Sequence, residues 1–454
     1  MARSSSSHRS RKRLGASVPS HPQKHDRSLI PVGMATILPH TAKRVRHVED
    51  VLLTTLGRWG YQEIIPPTFE YLDVLQSGLE PDLIEKCYKF SDRTTGRILL
   101  LRPDVTAQIA RIVAMGMVGS QMPLRLCYRT TVFRYEPEHA GREREIFQVG
   151  AELIGTDTVA ADAEMIALMG DCLQRLGLHD FKISLGHVGF FKALLAKSGL
   201  SVEGQKRAEQ AAARKDLPRL EEIFQDEHVA TAQARAILET PGLYGKEEVL
   251  ARGRVLAGRD PALRAALDRL TRVYELLSSS DLKDRLLLDL GEFRDFEYYD
   301  GLVFEVFAKG LGYEIGGGGR YNHLIGRFGR DLPSTGFAFD VDRLFQSMES
   351  VDGEPVRSGV HYLICSASDQ HAQAFEVARA LRQGGYRVVL AHPTGNSPQA
   401  VRLMLEEGKR LEAQVTALVG STDVSSDAVL IVSASPKVQQ RTVKIKELPS
   451  LLRP

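Results

Sequence analysis

Hydrophobic positions near the N-terminus follow first a helical period and then a short extended one. From position 39 to position 57 apolar residues recur at helical spacing, which predicts one helix. Residues 61–67 form an apolar run that ends in Pro66 and Pro67. Because proline cannot donate to a strand ladder, this run predicts an edge strand. A helix followed by such a strand is a candidate edge for a homodimer.

Further strands and helices follow in turn up to position 187. We predict a hairpin from strands at 88–90 and 98–101, further strands at 124–135, 147–154 and 181–187, and helices at 107–117 and 160–176. The strand at 147–154 places Gln148 and Glu152 on one face, since side chains of a strand alternate. Two polar groups on one face indicate either a polar pocket or an exposed sheet face.

The region from 298 to 345 contains the strongest pattern for a sheet-floored site. Residues 302–307 predict a strand covered on both faces, and the paired residues Tyr298 and Tyr299 lie just before it. Gly316–Gly319 follow, and here two interpretations stay open: a hairpin turn, or backbone with positive φ that approaches a ligand closely. A short apolar strand at 336–339 and a helix that starts at Asp340 complete the pattern.

Composition divides the chain into three parts. Residues 1–28 form a basic tail rich in Ser, Arg and Lys, which we expect to be disordered because it has too few apolar residues to fold. Residues 29–350 form the main domain, with a helical insertion at about 190–280 that is rich in helix-forming residues. Residues 360–454 alternate strands and helices, which predicts a C-terminal α/β domain.

Charge and cysteine content exclude several classes of protein. The chain has 454 residues and a formal net charge of +2, which gives no general attraction for nucleic acids. Its cysteines, Cys87, Cys127, Cys172 and Cys365, are scattered and form no C-x-x-C pair, which favours reduced core cysteines over disulfides or a metal site. No apolar run reaches the roughly 18 residues of a membrane span, and we find no signal-peptide core. We expect a cytoplasmic protein.

Asp104 and Thr106 stand at the start of a predicted helix, directly after the strand at 98–101. Either residue is suited to cap the helix, because a short polar side chain can accept a hydrogen bond from the first turn. The same position is equally suited to a ligand-binding role. The residues alone leave both possibilities open.

Several segments resemble the histidyl-tRNA synthetase branch of the class II aminoacyl-tRNA synthetases. They read LLRPDVT at 100–106, VFRYE at 132–136 and GGGRYN at 317–322. Longer segments are still more similar to a paralogous family, the regulatory subunits of ATP phosphoribosyltransferase; among them are GRWGYQEIIPPTFEYLDVL, LRPDVTAQIARI and ISLGHVGFFKALL. The likeness runs from about residue 30 to residue 350.

The resemblance implies an α+β fold, with a class II aminoacyl-tRNA synthetase-like antiparallel sheet core flanked by helices. It also implies a helical insertion and a C-terminal α/β domain similar to an anticodon-binding domain. The histidine-binding residues implied by the synthetase are Asp104, Thr106, Arg134, Gln148, Glu152, Arg294, Tyr298 and Tyr299. Asp104 falls near the α-ammonium of histidine, and the two tyrosines fall beside its imidazole. A zwitterion with an imidazole ring needs such acceptors and donors.

The function implied by the resemblance is regulatory. A subunit of this family has no catalytic residues and no cofactor or metal of its own, and it assembles with a short-form catalytic ATP phosphoribosyltransferase subunit. Histidine is the implied effector, which gives feedback inhibition of the first step of histidine biosynthesis. The resemblance further implies a homodimer within a hetero-octamer, with tRNA an unlikely partner, and the C-terminal domain is expected to serve protein contacts.

An active histidyl-tRNA synthetase is the alternative, and an RNA-binding histidine sensor is a third possibility. Arg134, Arg294 and Arg343 match positions at which the synthetase holds ATP phosphates and the reacting carboxylate. Two departures oppose adenylation: Asp340 and Asp295 replace glycines of the synthetase pattern. Added carboxylates disfavour a triphosphate, since phosphoryl chemistry needs positive charge. We therefore expect a regulatory subunit.

Overall fold

The computed structural model describes residues 30–135, 144–291, 298–349, 359–366, 370–391, 398–420, 425–433 and 439–452. Within these ranges, internal contacts define two compact units. The first contains residues 30–37 and 48–349, and the second contains residues 38–47 and 359–452. The basic tail expected at 1–28 lies outside the described residues.

The N-terminal elements follow the predicted order. The helices are α1 (Pro39–Arg58), α2 (Leu72–Leu75), α3 (Pro81–Glu85), α4 (Val105–Gly116) and α5 (Val159–Arg175). The strands are β1 (Gln62–Glu63), β2 (Phe69–Tyr71), β3 (Lys89–Ser91), β4 (Ile98–Leu101), β5 (Leu124–Phe133), β6 (Glu145–Ile154) and β7 (Phe181–His187). The predicted hairpin is confirmed, because β3 pairs antiparallel with β4. The strand predicted at 61–67 is confirmed only in β1.

Residues 188–278 form six helices. They are α6 (Val188–Ala196), α7 (Val202–Ala213), α8 (Leu217–Asp226), α9 (Thr231–Glu239), α10 (Glu247–Ala257) and α11 (Pro261–Ser278). Two short strands, β8 (Tyr244–Gly245) and β9 (Leu286–Asp289), join the main sheet at its edge. Long helix α11 packs against α5, α6 and β7, and α6 and α10 also contact strands of the main sheet.

The core of the first unit is a sheet whose central strands include β10 (Leu302–Ala308), β11 (Glu314–Arg320) and β12 (Ser334–Asp340). Helix α12 (Val341–Glu349) follows β12 directly. In the described residues this sheet has nine strands, in the order β1-β5-β6-β12-β11-β10-β7-β9-β8. Its central pairs are antiparallel, whereas β1 with β5 and β7 with β9 are parallel. The expected antiparallel sheet flanked by helices is confirmed.

The interpretation of Gly316–Gly319 as a hairpin turn is wrong. These glycines lie inside strand β11, and none of them has a positive φ. At Gly316, Gly318 and Gly319 the role is steric, because neighbouring strands approach too closely for a side chain. A Cβ atom on Gly318 would lie 1.9 Å from the carbonyl oxygen of Gly336. The alternative interpretation is wrong in its positive φ, and the close approach that the structure shows is to a neighbouring strand.

The second unit has a mixed sheet in the order β14-β13-β15-β16-β17. Its elements are β13 (Tyr362–Ser366), α13 (His371–Gln383), β14 (Val388–Ala391), α14 (Pro398–Arg410), β15 (Val415–Val419), β16 (Ala428–Ser433) and β17 (Gln439–Lys444). Strand β13 pairs parallel with β14 and β15, and the remaining pairs are antiparallel. The predicted alternation of strand and helix is confirmed, while β17 was not predicted.

Across the described ranges, no helix is both long enough and apolar enough to span a lipid bilayer.

Candidate functional site

The candidate site includes three residues that lie side by side on the central strands β6, β12 and β11. The register pairs Glu152 of β6 with Gly336 of β12, and Gly336 with Gly319 of β11. A Cβ atom on Gly336 would lie 1.6 Å from Oε2 of Glu152. Any side chain at position 336 would therefore displace the carboxyl group, so glycine is required for Glu152 to lie across β12.

The carboxyl group of Glu152 is held by two hydroxyl groups. Oγ1 of Thr106 donates to Oε1 at 2.8 Å, and the hydroxyl of Tyr321 donates to Oε2. The side chain of Glu152 is 1% exposed. Burial raises the pKa of Glu152 to about 8, although the two hydroxyl donors oppose the rise. At neutral pH much of the protein therefore carries Glu152 as a neutral acid.

Asp104 precedes helix α4 and caps it. Its Oδ1 accepts a hydrogen bond from the backbone N–H of Ala107 at 2.8 Å, so the capping interpretation is confirmed for Asp104. Thr106 instead directs its hydroxyl to Glu152. Burial also raises the pKa of Asp104, and the nearby guanidinium of Arg134 opposes that rise. Two buried acids thus lie at the N-terminus of α4 and on β6.

Four buried tyrosines lie close to these acids: Tyr128, Tyr298, Tyr299 and Tyr321. The rings of Tyr298 and Tyr299 are 4.7 Å apart, and that of Tyr298 is 5.9 Å from Tyr321. Burial raises the pKa of Tyr128, Tyr298 and Tyr321, and the nearby Glu152 adds to the rise. Their hydroxyls stay protonated at neutral pH, so the walls combine apolar rings with hydrogen-bond donors. We call Asp104, Thr106, Glu152 and these tyrosines the tyrosine-lined pocket.

The other predicted site residues are placed less closely together. Arg134 follows β5 and donates from Nε to the carbonyl oxygen of Pro103 at 2.7 Å, beside Asp104. Gln148 shares the strand face of Glu152 but lies four residues away, a distance of roughly 13 Å along a strand. It is half-buried and faces Asp340 in the register. Arg294, together with Asp295, lies outside the described residues.

Sequence reasoning missed three contributors to the pocket. Tyr321 binds Glu152, Tyr128 lies under Gly150, and Gly336 gives room to the carboxyl group. The sequence contains a signal for Tyr321, since this residue lies in the glycine-rich segment at 317–322 that resembles the synthetase pattern. Tyr128 and Gly336 could be found only from the register of β5, β6 and β12, which the sequence does not state.

A second polar cluster lies at the opposite end of β12. Oδ1 of Asp340 accepts from the backbone N–H groups of Asp342 and Arg343, each at 3.1 Å, and thereby caps α12. Oδ2 of Asp340 pairs with Nε of Arg343 at 3.2 Å. The side chain of Glu314 also pairs with Arg343, and its carbonyl oxygen accepts from Nη1 at 3.0 Å. The guanidinium is thus held by two carboxylates.

Chemically, the tyrosine-lined pocket offers acids and hydroxyl donors, with apolar rings around them. Such a set suits a small ligand that carries a cationic group and a polar aromatic ring. Among the described residues, no group of three or more His, Cys, Asp or Glu side chains could hold a metal ion.

Comparison with protein families gives one match that covers most of the chain. A profile of the family described as histidyl-tRNA synthetase matches residues 33–344. The regulatory subunit of ATP phosphoribosyltransferase from Geobacter metallireducens is 35% identical over 410 residues, which cover 90% of this chain and 93% of the relative. The regulatory subunit from Moorella thermoacetica is 39% identical over 383 residues, or 84% of this chain and 97% of the relative.

Solved structures agree with this comparison. A Bacillus halodurans protein described as an ATP phosphoribosyltransferase regulatory subunit/histidyl-tRNA synthetase superimposes with a TM-score of 0.76 at 29% identity. It covers 88% of this chain and 100% of that structure. The apo histidyl-tRNA synthetase of S. aureus gives a TM-score of 0.68 at 23% identity, over 93% of this chain and 98% of its own, and at that identity it supports the fold alone.

Proposed function

The chain belongs to the histidyl-tRNA synthetase family, in its branch of ATP phosphoribosyltransferase regulatory subunits, and from that premise we propose that it senses free histidine. As a regulatory subunit it acts in histidine biosynthesis and is not itself the catalyst. The finer proposal is that histidine in the tyrosine-lined pocket mediates feedback inhibition of the catalytic subunit.

The observation that carries this proposal is the buried Glu152, held by the hydroxyls of Thr106 and Tyr321. A buried acid is costly unless a partner compensates it, and a ligand with cationic or ring N–H groups supplies that partner. Asp104 is assigned to the α-ammonium of histidine. Tyr298 and Tyr299 are assigned to the imidazole, which their rings can pack against.

The remaining assignments come from the family resemblance. Arg134 is assigned to the carboxylate of the ligand, and the position of its guanidinium beside Asp104 supports that assignment. Arg294 is assigned to the same group, and Gln148 to the outer part of the site. A buried polar ligand group left unpaired loses about 1 to 3 kcal/mol, so these contacts would set selectivity for histidine.

Feedback requires a catalytic partner, which we propose is a short-form ATP phosphoribosyltransferase subunit. The test mixes the purified chain with such a subunit and measures turnover of ATP and phosphoribosyl pyrophosphate. We expect activation on mixing, and reversal of that activation by histidine. If the two proteins neither co-elute nor change each other's activity, the proposed regulation is wrong.

An active synthetase is the competing function, and it makes a distinct prediction. It requires histidine-dependent exchange of pyrophosphate into ATP by this chain alone. The pairing of Arg343 with Asp340 and Glu314 opposes it, because those carboxylates compete with nucleotide phosphates for the guanidinium. Robust exchange by the isolated chain would replace the regulatory proposal.

We further propose a homodimer, within a hetero-octamer that contains the catalytic subunit. The outer face of the small sheet β2-β4-β3 supports the dimer, because Phe69 and Phe90 are exposed there and their rings lie 5.1 Å apart. Exposed apolar residues of this kind mark association surfaces. The double substitution Phe69→Ser and Phe90→Ser should give a monomer in sedimentation, while Val202→Ser, at an exposed helix position, should not.

A further inference from the structure

A buried ion network lies behind the tyrosine-lined pocket. Arg320, the residue before Tyr321, is 1% exposed, and its Nε donates to Oδ1 of Asp162 in α5 at 2.8 Å. Its Nη1 donates to the carbonyl oxygen of Thr156 at 3.1 Å and to Oδ1 of Asn322 at 3.0 Å. The side chains of these two adjacent residues thus make contacts on opposite sides of the sheet. Arg320 hydrogen-bonds to Asp162 of helix α5, whereas Tyr321 hydrogen-bonds to Glu152 in the pocket.

Asp162 connects Arg320 to a second arginine. Arg269 of α11 donates from Nε to Oδ2 of Asp162 at 2.7 Å and pairs with Asp157 at 2.7 Å. Arg320 also pairs with Asp157 at 3.3 Å, so two arginines share two aspartates. Asp162 is fully buried. A buried network of this kind contributes little net stability compared with apolar packing, but it fixes the geometry of the elements that it joins.

Arg320 connects the segment that carries Tyr321 to the segment that carries Tyr298 and Tyr299. Its carbonyl oxygen accepts from the backbone N–H of Asp300 at 3.0 Å, directly after Tyr299. A Cβ atom on Gly301 would lie 2.9 Å from Cβ of Arg320, so the two residues are in tight contact. A shift of Arg320 would therefore also shift Tyr321, its neighbour in the chain. It would shift Tyr299 as well, because Asp300 and Gly301 contact Arg320.

We propose that Arg320 is a positioning residue of the tyrosine-lined pocket and that Arg269, through Asp162, couples the pocket to helix α11. The proposal rests on the proposed function, since it takes histidine as the ligand. The affinity for histidine then depends on helix α11, although Arg269 of that helix contacts Asp162 and Asp157 and does not contact Glu152. A partner that displaces α11 would change histidine affinity, and by linkage histidine would change affinity for that partner.

The test measures histidine binding by calorimetry to the full chain and to Arg269→Gln. Because Arg320 is buried and its replacement endangers folding, Arg269 is the informative position. We expect the Kd of Arg269→Gln to rise about fivefold, within the range of couplings between residues of one network. Arg269→Lys should recover much of the loss, because an ammonium can still pair with Asp162. Arg272→Gln, an exposed position on the same helix, should leave the Kd unchanged.

A double-mutant cycle with Tyr321→Phe separates positioning from general destabilisation. The phenylalanine lacks the hydroxyl that donates to Glu152, so the exact position of its ring has less influence on histidine binding. Adding Arg269→Gln to Tyr321→Phe should therefore raise the Kd for histidine by less than twofold. Full additivity, or an unchanged Kd in Arg269→Gln, would overturn the role of Arg269. Failure of the unmodified chain to bind histidine would instead overturn the proposed function and the ligand named here.

Discussion

The two ends of strand β12 hold their charged groups in opposite ways. At Gly336, hydroxyl groups hold the buried acid Glu152, and at Asp340 two carboxylates hold Arg343. The first arrangement surrounds a buried acid with neutral hydroxyl donors, whereas the second has already matched the positive charge of Arg343 within the protein. One sheet therefore carries, at one end of β12, an acid held by neutral donors and, at the other end, an arginine already paired with carboxylates.

The largest expected effect is on the stability of the folded protein, which we predict the buried Glu152 to lower as pH rises. Its pKa of about 8 exceeds the value of 4.5 expected when unfolded. Between these values the folded protein holds a proton that the unfolded chain releases, so stability falls as pH rises from about 4.5 to about 8. Glu152→Gln removes this titration. The free energy of unfolding of Glu152→Gln, measured relative to that of the unmodified chain, should increase by about 4 kcal/mol between pH 4.5 and pH 8.

Urea denaturation at pH 5, 6.5 and 8 measures this difference. Glutamine also loses one acceptor for Tyr321 or Thr106, but that penalty does not depend on pH. The change of the difference with pH, rather than its value at one pH, is therefore informative. A difference that stays constant would show that Glu152 is ionised in the folded protein at pH 5.

The second effect concerns ligand binding at the same residue. Glu152→Gln should weaken histidine binding about a hundredfold, which corresponds to about 2.7 kcal/mol, because a charged acceptor is lost from a buried site. Glu314→Gln is the matched control at the opposite end of the comparison, and there the Kd should change less than twofold. Calorimetry at pH 8 measures both. Equal losses in the two variants would remove the distinction between the two regions.

Much of this comparison could be predicted from the sequence. Alternation along 147–154 placed Glu152 on a polar strand face, and the family-like segments brought Asp104 and Thr106 to the same site. The partner of Glu152 could not be predicted, because the contact with Tyr321 crosses 169 positions and depends on the register of three strands. For the same reason the sequence leaves two interpretations open for Gly316–Gly319, and neither places them inside strand β11, where Gly316, Gly318 and Gly319 relieve crowding.

The ion network behind the pocket shows a second limit. Asp162 and Arg269 sit in amphipathic helices where a charged residue normally predicts an exposed face. Asp162 is instead fully buried, because Arg320 and Arg269 reach it from two other elements. Pairing of this kind depends on tertiary contacts between α5, β11 and α11, so helical periodicity carries no sign of it.

The third prediction tests the other region of β12. Asp340→Gly together with Glu314→Gln removes both carboxylates from Arg343, and binding of ATP should strengthen about tenfold as the guanidinium becomes available to phosphates. Histidine affinity should change less than twofold. Adding Arg343→Gln should abolish the gain. If ATP binding does not strengthen, the two carboxylates are not what keeps nucleotide from Arg343.

The smallest effect separates the two roles of Asp340, which caps α12 and pairs with Arg343. Asp216→Ala is the matched control, since Asp216 caps α8 by accepting from Arg219 N–H at 3.1 Å. Loss of a cap costs about 1 kcal/mol of unfolding free energy. Asp340→Ala should cost about 0.5 kcal/mol more, because its partly exposed ion pair is lost as well. Equal losses in urea denaturation would mean that Arg343 gains no stability from Asp340, so that Glu314 alone holds the guanidinium.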